Sequence, residues 1–159
     1  MFDLANPILI FVAAIGSGIV GGIFYGFSSF VMAALARLPA AHGAAAMNAI
    51  NVTVITPSFM IAFMGTALVS LLLAGSSFVW WSQTGAKLTF AASLIYLVGC
   101  FGVTMVCNVP LNDRLADVEP EDEEALWTHF LDRWTLWNHV RTVASVVAAV
   151  LFTAVLFLV

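Results

Sequence analysis

The chain alternates between four long apolar segments and shorter polar connections. Crossing the roughly 30 Å core of a bilayer takes about 20 helical residues, and each apolar segment is long enough to do so. The apolar runs are continuous instead of alternating, which disfavours a β-barrel. The pattern therefore predicts an all-α polytopic membrane protein, a four-helix transmembrane bundle built as a single membrane domain. The predicted spans are about residues 7–36, 57–81, 86–107 and 138–159.

The composition supports the same class of protein. Hydrophobic residues make up 62% of the 159 residues, charged residues make up 9%, and the mean hydropathy is +1.05. Soluble domains are about half apolar and about a quarter charged. We therefore expect an integral protein of the plasma (inner) membrane, in contact with membrane lipid. No basic segment precedes the first apolar run, so this run is predicted to be a retained span and not a cleaved signal peptide.

The connection between the first two spans, residues 39–56, is rich in alanine and follows a proline that can start a helix. It is predicted to form a short helix near the membrane interface, with a break before Pro57. Asn48 and Asn51 are three residues apart and therefore share one face of this helix. That face is compatible with either solvation or function.

The connection at residues 108–137 carries most of the acidic residues of the chain. Its first part is predicted to be irregular, because Pro110 should end or kink the third helix. A new helix is predicted to start at residues 119–124, where acidic side chains favour a helix N-terminus. No proline or glycine follows Pro120. This helix should therefore start outside the membrane and continue into the fourth span.

Gly18, Gly22 and Gly26 lie on one face of the first span at a spacing of four residues. Such faces allow close approach of another helix. The approaching helix can belong to the same chain or to a second copy, so a homo-oligomer is one possibility that this face leaves open.

The orientation is predicted from the basic residues of the connections. Arg37, Arg114 and Arg133 lie on one side of the predicted topology, and Lys87 lies on the side of the termini. Basic residues favour the cytoplasmic side. The termini are therefore predicted to be extracytoplasmic.

A polar and aromatic cluster stands where the fourth span begins. Trp134, Asn138 and Arg141 follow steps of four and three along the predicted helix, and Trp137 lies beside them. His139 points to another face. Flat aromatic walls, an amide and a permanent cation could together hold a planar aromatic molecule that bears an oxygen anion. Alternatively, the tryptophans belong to the aromatic belt of the membrane and the arginine extends toward the headgroups.

A second polar cluster, Asn108 and Asn112, flanks Pro110 at the end of the third span. Its amides could cap the backbone groups that the proline leaves free. In the predicted topology this cluster meets the cluster of the fourth span on the same side of the bundle. This meeting point is the predicted functional site.

Other kinds of site find little support in the sequence. His42, His129 and His139 lack metal-ligand spacing, and Cys100 and Cys107 are about 10 Å apart on a helix axis, too far for a disulfide. We therefore predict no metal. No basic patch indicates a nucleic-acid partner. No nucleophilic triad, P-loop or dinucleotide fingerprint is present.

Together these residues resemble the anthrone oxygenase-like family of small membrane proteins, whose bacterial members mostly lack an assigned function. The resemblance extends over nearly the whole chain. Its motifs are GIFYGFSSFVM at 22–32, MNAIN at 47–51, NVPLN at 108–112 and WTLWNHVR at 134–141.

The resemblance implies a four-helix membrane fold and oxidation of an anthrone to an anthraquinone by molecular oxygen, without a flavin, metal or other cofactor. The hydrophobic substrate would be the small-molecule partner. Catalytic roles are implied for Asn138, His139 and Arg141. For substrate binding, the resemblance implies Asn108, Asn112 and Trp137, and we expect Asn51 and Trp134 to bind the substrate as well.

The hypothesis for the reaction is that an enolate forms and reacts directly with oxygen. His139, or a water ordered by Asn138, would serve as base, and Arg141 would stabilise the developing oxyanion. A competing hypothesis is a non-enzymatic membrane protein that binds a lipid or quinone, or an accessory subunit of a membrane complex. Transport is weaker, because no ionisable residue lies at mid-membrane.

Overall fold

A computed structural model describes residues 5–117 and 123–158 of the chain. Helices are numbered here in chain order. Helix α1 comprises an α-helical part (Ala5–Gly26), a π-helical turn (Phe27–Val31) and a final α-helical turn (Met32–Leu35). Helix α2 is Ala40–Thr53. Helix α3 is Pro57–Ser77, with a 3₁₀ turn (Phe78–Trp80) at its end.

Helix α4 begins as an α-helix (Thr84–Leu94) and passes through two π-helical stretches (Ile95–Gly102 and Thr104–Asn108). It ends in a further α-helical part (Val109–Ala116). Helix α5 (Glu123–Leu156) is 34 residues long.

Four helical stretches are long and apolar enough to cross a membrane: Pro7–Leu35, Pro57–Trp80, Thr84–Ala116 and Glu124–Leu156. They pack as a bundle in which α1 contacts α3 and α5, and α4 contacts the same two helices. No strand occurs in residues 5–117 or 123–158. The prediction of an all-α, four-span bundle with a long fourth helix is therefore confirmed, and the chain is an integral membrane protein.

The end of the third span differs from the prediction. Helix α4 does not stop at Cys107 but continues without a loop through Pro110 to Ala116. The proline lies in the first turn of the last α-helical part, directly after a π-helical turn, where its missing N–H costs little. The first part of the 108–137 connection, predicted from the sequence to be irregular, is therefore helical as far as Ala116. Most of the predicted helix start at 119–124 lies outside the described residues.

Helix α2 packs against the part of α5 that precedes the fourth span. Gly43 is buried, and a Cβ placed on it would lie 2.5 Å from Cζ2 of Trp127. Met47 is also buried in the same contact region. At the end of α2, Thr56 caps α3 by accepting a hydrogen bond from the Phe59 backbone N–H at 3.3 Å. The helix predicted between the first two spans is present, and one of its faces is packed against protein.

The buried apolar side chains form two separate clusters. The bundle cluster lies among the four spans and includes Phe24, Phe63 and Tyr96. The boundary cluster joins α2 to the ends of α1, α4 and α5 and includes Met47 and Trp134. The polar residues singled out in the sequence lie where these two clusters adjoin.

Close helix contacts within the chain do not use the predicted glycine face. A Cβ added at Gly18 or Gly22 would meet nothing within 4 Å. In contrast, a Cβ at Gly21 would lie 3.2 Å from Cβ of Ser145, and one at Gly99 would lie 2.6 Å from Cβ of Ala144. No other helix of the described structure therefore packs closely on the face formed by Gly18, Gly22 and Gly26. A homo-oligomer that uses this face stays a prediction.

We expect Gly99→Ala to lower the free energy of unfolding by about 1–3 kcal/mol, because the new methyl group overpacks a contact between rigid backbones. Unfolding in detergent would measure this change. The matched control is Gly65→Ala, which adds a methyl group where nothing lies within 4 Å. Equal stability of the two variants would contradict the close α4–α5 contact.

Candidate active site

A cavity of about 410 Å³ lies between the two apolar clusters and is lined by side chains from all five helices. This volume falls in the usual range for small-molecule sites. Most of its wall is apolar, with phenylalanine, methionine, isoleucine and valine side chains. Its polar lining consists of Asn51, Thr104, Asn112 and Arg141, together with the Trp134 ring.

Arg141 is the charged group of the cavity, and its side chain is only 5% exposed. Its Nε donates a hydrogen bond to Oδ1 of Asn138 at 2.9 Å, and its Nη1 lies 3.5 Å from Oγ1 of Thr104. The guanidinium carbon lies 3.9 Å from the centre of the Phe24 ring and 4.7 Å from that of Trp134. The guanidinium is therefore turned into the bundle, between an aromatic ring of each apolar cluster.

No carboxylate among the described residues pairs with this guanidinium. Burying an unpaired cation is expensive, so its surroundings must compensate for lost hydration. An amide, a hydroxyl and two ring faces provide partial compensation, since desolvated cation–π contacts contribute roughly 2 kcal/mol each. Nη1 has only the long contact to Thr104. The arrangement is therefore suited to bind an anionic oxygen.

Asn138 is fully buried and holds the guanidinium in place. Its Nδ2 donates to the Phe24 carbonyl at 2.8 Å and to Oγ of Ser28 at 2.7 Å. The same Ser28 hydroxyl lies 2.9 Å from Nδ1 of His139 and 3.1 Å from Oγ1 of Thr142. Because every polar atom of the Asn138 side chain is engaged, its orientation toward Arg141 is fixed.

The polar clusters of the third and fourth spans meet, as the sequence predicts. Nδ2 of Asn108 donates to the Trp134 carbonyl at 3.2 Å, and Nε1 of Trp134 donates to Oδ1 of Asn112 at 2.8 Å. The other face of the Trp134 indole belongs to the cavity wall beside Arg141. Trp134 thus connects the amides of α4 to the cation of α5.

Two amides at the site have unused hydrogen-bonding capacity. Nδ2 of Asn51, which lines the cavity, is buried and has no partner in the described structure. Oδ1 of the fully buried Asn108 also has no hydrogen-bond partner in the described structure. Buried polar groups are normally paired, so an unpaired donor at a cavity wall is a candidate for ligand contact. Asn51 is the clearer candidate because it faces the cavity.

A set of phenylalanines forms the wall opposite the amides. Phe59 and Phe63 stack with ring centres 5.7 Å apart and an interplanar angle of 6°. Phe24 meets Phe63 edge to face at 6.4 Å. Phe24 brings this wall to the guanidinium, so the cavity offers flat aromatic surface beside the cation, which suits a planar aromatic ligand.

The cavity has a buried polar end and an exposed apolar rim. Phe24 and Arg141 are almost fully buried, whereas the rim residues Ile55, Met64 and Met105 are 69%, 45% and 48% exposed. The rim side chains belong to α4, α3 and the segment before α3. Exposed apolar side chains of this kind are typical of surfaces that contact a membrane.

Three polar residues of the site lie on π-helical turns. Ser28 is on the π turn of α1, and Thr104 and Asn108 are on the second π stretch of α4. A π turn contains an extra residue, which rotates the following side chains relative to a regular α-helix and often occurs at functional sites. No feature of the sequence predicted these turns.

Four of the eight predicted site residues do not line the cavity. Asn108 and Asn138 lie behind its wall and hydrogen-bond to Trp134 and Arg141, whereas Trp137 and His139 lie elsewhere. Trp137 lines a separate groove between α4 and α5, and so it does not form a wall beside Arg141. His139 is exposed and contacts Ser28 on the side away from the cavity. On a helix, a residue beside an inward-facing one is turned by about 100° and therefore points elsewhere. The structure brings together Asn51, Asn108, Asn112, Trp134, Asn138 and Arg141.

Several residues of the site were not selected from the sequence. Phe24, Ser28, Phe63 and Thr104 all contribute to it. The motif at 22–32 contains the first two, so a search of that motif for inward-facing residues could have found them. Phe63 and Thr104 stand in apolar spans without a distinguishing pattern.

Metal ligands do not converge in the described part of the chain. No group of three or more His, Cys, Asp or Glu side chains there could hold a metal ion.

A family model described as anthrone oxygenase matches residues 56–151, which is more than half of the chain. The chain belongs to the anthrone oxygenase family. The matched region contains Asn108, Asn112, Trp134, Asn138 and Arg141. Comparison with curated proteins and with solved structures found no match.

The family match leaves out part of the candidate site. The motifs at 22–32 and 47–51 precede the matched residues, so the resemblance is shown over a shorter region than the sequence motifs indicated. Phe24, Ser28 and Asn51 are therefore placed at the site by the structure and not by the family match.

We expect Trp134→Phe to weaken binding of a planar aromatic probe such as anthraquinone by about 5- to 100-fold, because it loses the hydrogen bond to Asn112 and part of the cavity wall. Titration calorimetry in detergent would measure the affinity. The matched control is Trp137→Phe, which removes an indole at the same boundary but outside this cavity. If Trp137→Phe weakened binding and Trp134→Phe did not, the cavity would not be the ligand site.

Proposed function

We propose that this member of the anthrone oxygenase family is a membrane-embedded oxygenase of a hydrophobic, anthrone-like aromatic substrate. It uses molecular oxygen as the oxidant and needs no organic cofactor or metal. The observation that carries the proposal is the buried guanidinium of Arg141. It lies at the polar end of an aromatic-walled cavity, and no carboxylate among the described residues pairs with it.

The geometry supports binding of an aromatic ketone with its oxygen toward Arg141. Phe24 and Trp134 would flank the rings near the carbonyl, and the free Nδ2 of Asn51 would donate to an oxygen of the substrate. The apolar rim supports access from the bilayer, where such a substrate would partition. Binding would replace the hydration that the guanidinium lacks, which favours the anionic form of the ligand.

The reaction would begin with loss of a proton from the CH2 group of the substrate to give an enolate, whose oxygen Arg141 stabilises. The electron-rich ring carbon would then form a bond to O2, which is reduced to a hydroperoxide on that carbon. Loss of the remaining hydrogen at the carbon, with cleavage of the O–O bond, gives a ketone and water. One O2 is thus consumed for each quinone and each water formed.

The proton acceptor in this proposal is water. No described side chain that lines the cavity is a carboxylate or an imidazole. Arg141 would make the bound CH2 acidic enough for this weak base by stabilising its conjugate anion. We assign His139 a positioning role, because it is linked to Arg141 only through Ser28 and Asn138.

We expect Arg141→Gln to lower the rate of anthrone oxidation by about 100- to 1,000-fold, the usual effect of removing one group that stabilises an oxyanion. Oxygen consumption and quinone absorbance, measured in vesicles and corrected for spontaneous oxidation, would give the rate. Arg37→Gln removes the same charge at an exposed position and should leave the rate unchanged. An Arg141→Gln variant that is folded and fully active would rule out the proposed mechanism.

The alternative is a binding protein for a lipid or quinone, and the exposed apolar rim of the cavity supports it. A ligand with a long apolar tail could leave through this opening while its head contacts Arg141. Native mass spectrometry of the purified protein would distinguish the two functions. A lipid or quinone that wild type retains and Arg141→Gln does not, together with no oxygen consumption on any anthrone, would favour the binding role.

We further propose that the chain resides in the plasma (inner) membrane with its termini outside the cytoplasm. Arg114 and Arg133 line the same groove, which supports the assignment of both to one side of the membrane. Basic residues favour the cytoplasmic side.

A further inference from the structure

A second groove lies between α4 and α5, separate from the active-site cavity. It has a volume of about 380 Å³ and is more exposed than the cavity. Arg114 of α4 and Arg133 of α5 both line it, so one groove holds two of the five lysines and arginines of the chain. His129 and Trp137 of α5 complete its polar side.

The groove changes from basic to apolar along both of its helices. On α5, the lining residues Arg133 and Trp137 are four residues apart on one stripe, and exposed Val140 continues this stripe beyond the lining of the groove. On α4, Arg114 lies near the end of the helix, and Leu111 and Val106 lie progressively farther from it. Val106 is 74% exposed. The cations therefore lie at one end of the groove, an indole in the middle and aliphatic surface at the other end.

The described acidic residues next to the two arginines in sequence, Asp113 and Asp132, do not line the groove. Asp113 and Asp132 each stand one residue away from an arginine, which turns them by about 100° around their helices. The lining of the groove contains no carboxylate among the described residues. The two guanidinium groups are thus available to a ligand of opposite charge.

We infer that this groove is a binding site for an anionic phospholipid, with the headgroup phosphate at Arg114 and Arg133. The order of cation, indole and aliphatic surface matches the order of phosphate, glycerol region and acyl chain in a bilayer lipid. Arginine is well suited to the phosphate because its planar fork donates two hydrogen bonds at once. Basic pockets between transmembrane helices commonly bind anionic headgroups. The site is independent of the proposed oxidation.

The test compares lipids retained by the full-length protein. Wild type is reconstituted in vesicles of phosphatidylcholine with one fifth phosphatidylglycerol, extracted in mild detergent and examined by native mass spectrometry. We expect phosphatidylglycerol to be enriched over phosphatidylcholine. Arg114→Gln/Arg133→Gln should lower this enrichment by about five-fold for each arginine removed. The matched control, Arg37→Gln/Lys87→Gln, removes the same charge at exposed positions outside the groove and should retain the enrichment.

A second measurement does not depend on the double variant folding. Brominated phosphatidylglycerol should quench Trp137 fluorescence, defined by subtraction of a Trp137→Phe variant, more strongly than brominated phosphatidylcholine. Equal quenching by the two lipids would overturn the inference. Unchanged enrichment in the folded double variant, or equal loss in the control, would also overturn it. Displacement of the lipid by millimolar inorganic phosphate would indicate an ion site instead of a lipid site.

Discussion

The burial of one guanidinium inside a membrane-spanning bundle is the constraint around which this structure is organised. Arg141 is almost fully buried and pairs with no carboxylate among the described residues, so its charge is balanced by weaker groups that must be placed accurately. Asn138 supplies an amide oxygen, and Phe24 and Trp134 supply ring faces. These groups come from α1 and α5, and Thr104 adds a hydroxyl from α4. A single cation therefore fixes the relative positions of three of the four spans.

The same constraint accounts for the position of the cavity. The bundle cluster and the boundary cluster meet at Arg141, where polar side chains prevent the two apolar regions from merging. Asn138 donates a hydrogen bond to α1 and accepts one from Arg141, and Asn112 accepts one from Trp134. Asn51, across the cavity, keeps a free donor. At the polar end of the cavity, the side chains that hold the cation are therefore fixed, whereas Asn51 keeps an unpaired donor where a ligand would lie.

The sequence could predict the spans and the meeting of the polar clusters, because both depend on long patterns of hydrophobicity and on helix periodicity. It placed Asn138 and Arg141 on one stripe, and the structure has both facing inward. It could not predict that α4 continues through Pro110, because this depends on the π turn that precedes the proline. The contact of Thr104 with Arg141 could not be predicted either, because the direction of the Thr104 side chain depends on the same π turn.

The motif at 134–141 shows why a cluster of unusual residues need not form one site. Trp134, Asn138 and Arg141 form the stripe that faces the cavity. Arg133 and Trp137, each one residue before a member of that stripe, face the groove against α4. A shift of one residue on a helix is a rotation of about 100°, so two stripes can share the nine residues from Arg133 to Arg141 and belong to different surfaces. Burial then decides what each arginine does. Arg141 is almost fully buried between two rings, where a charge is screened less than at the surface and interacts more strongly with a nearby anion. Arg133 is exposed to solvent and screening, which suits attraction of a headgroup. Residues of one sequence motif can therefore belong to two different surfaces, and the direction in which each side chain points in the structure shows which surface it belongs to.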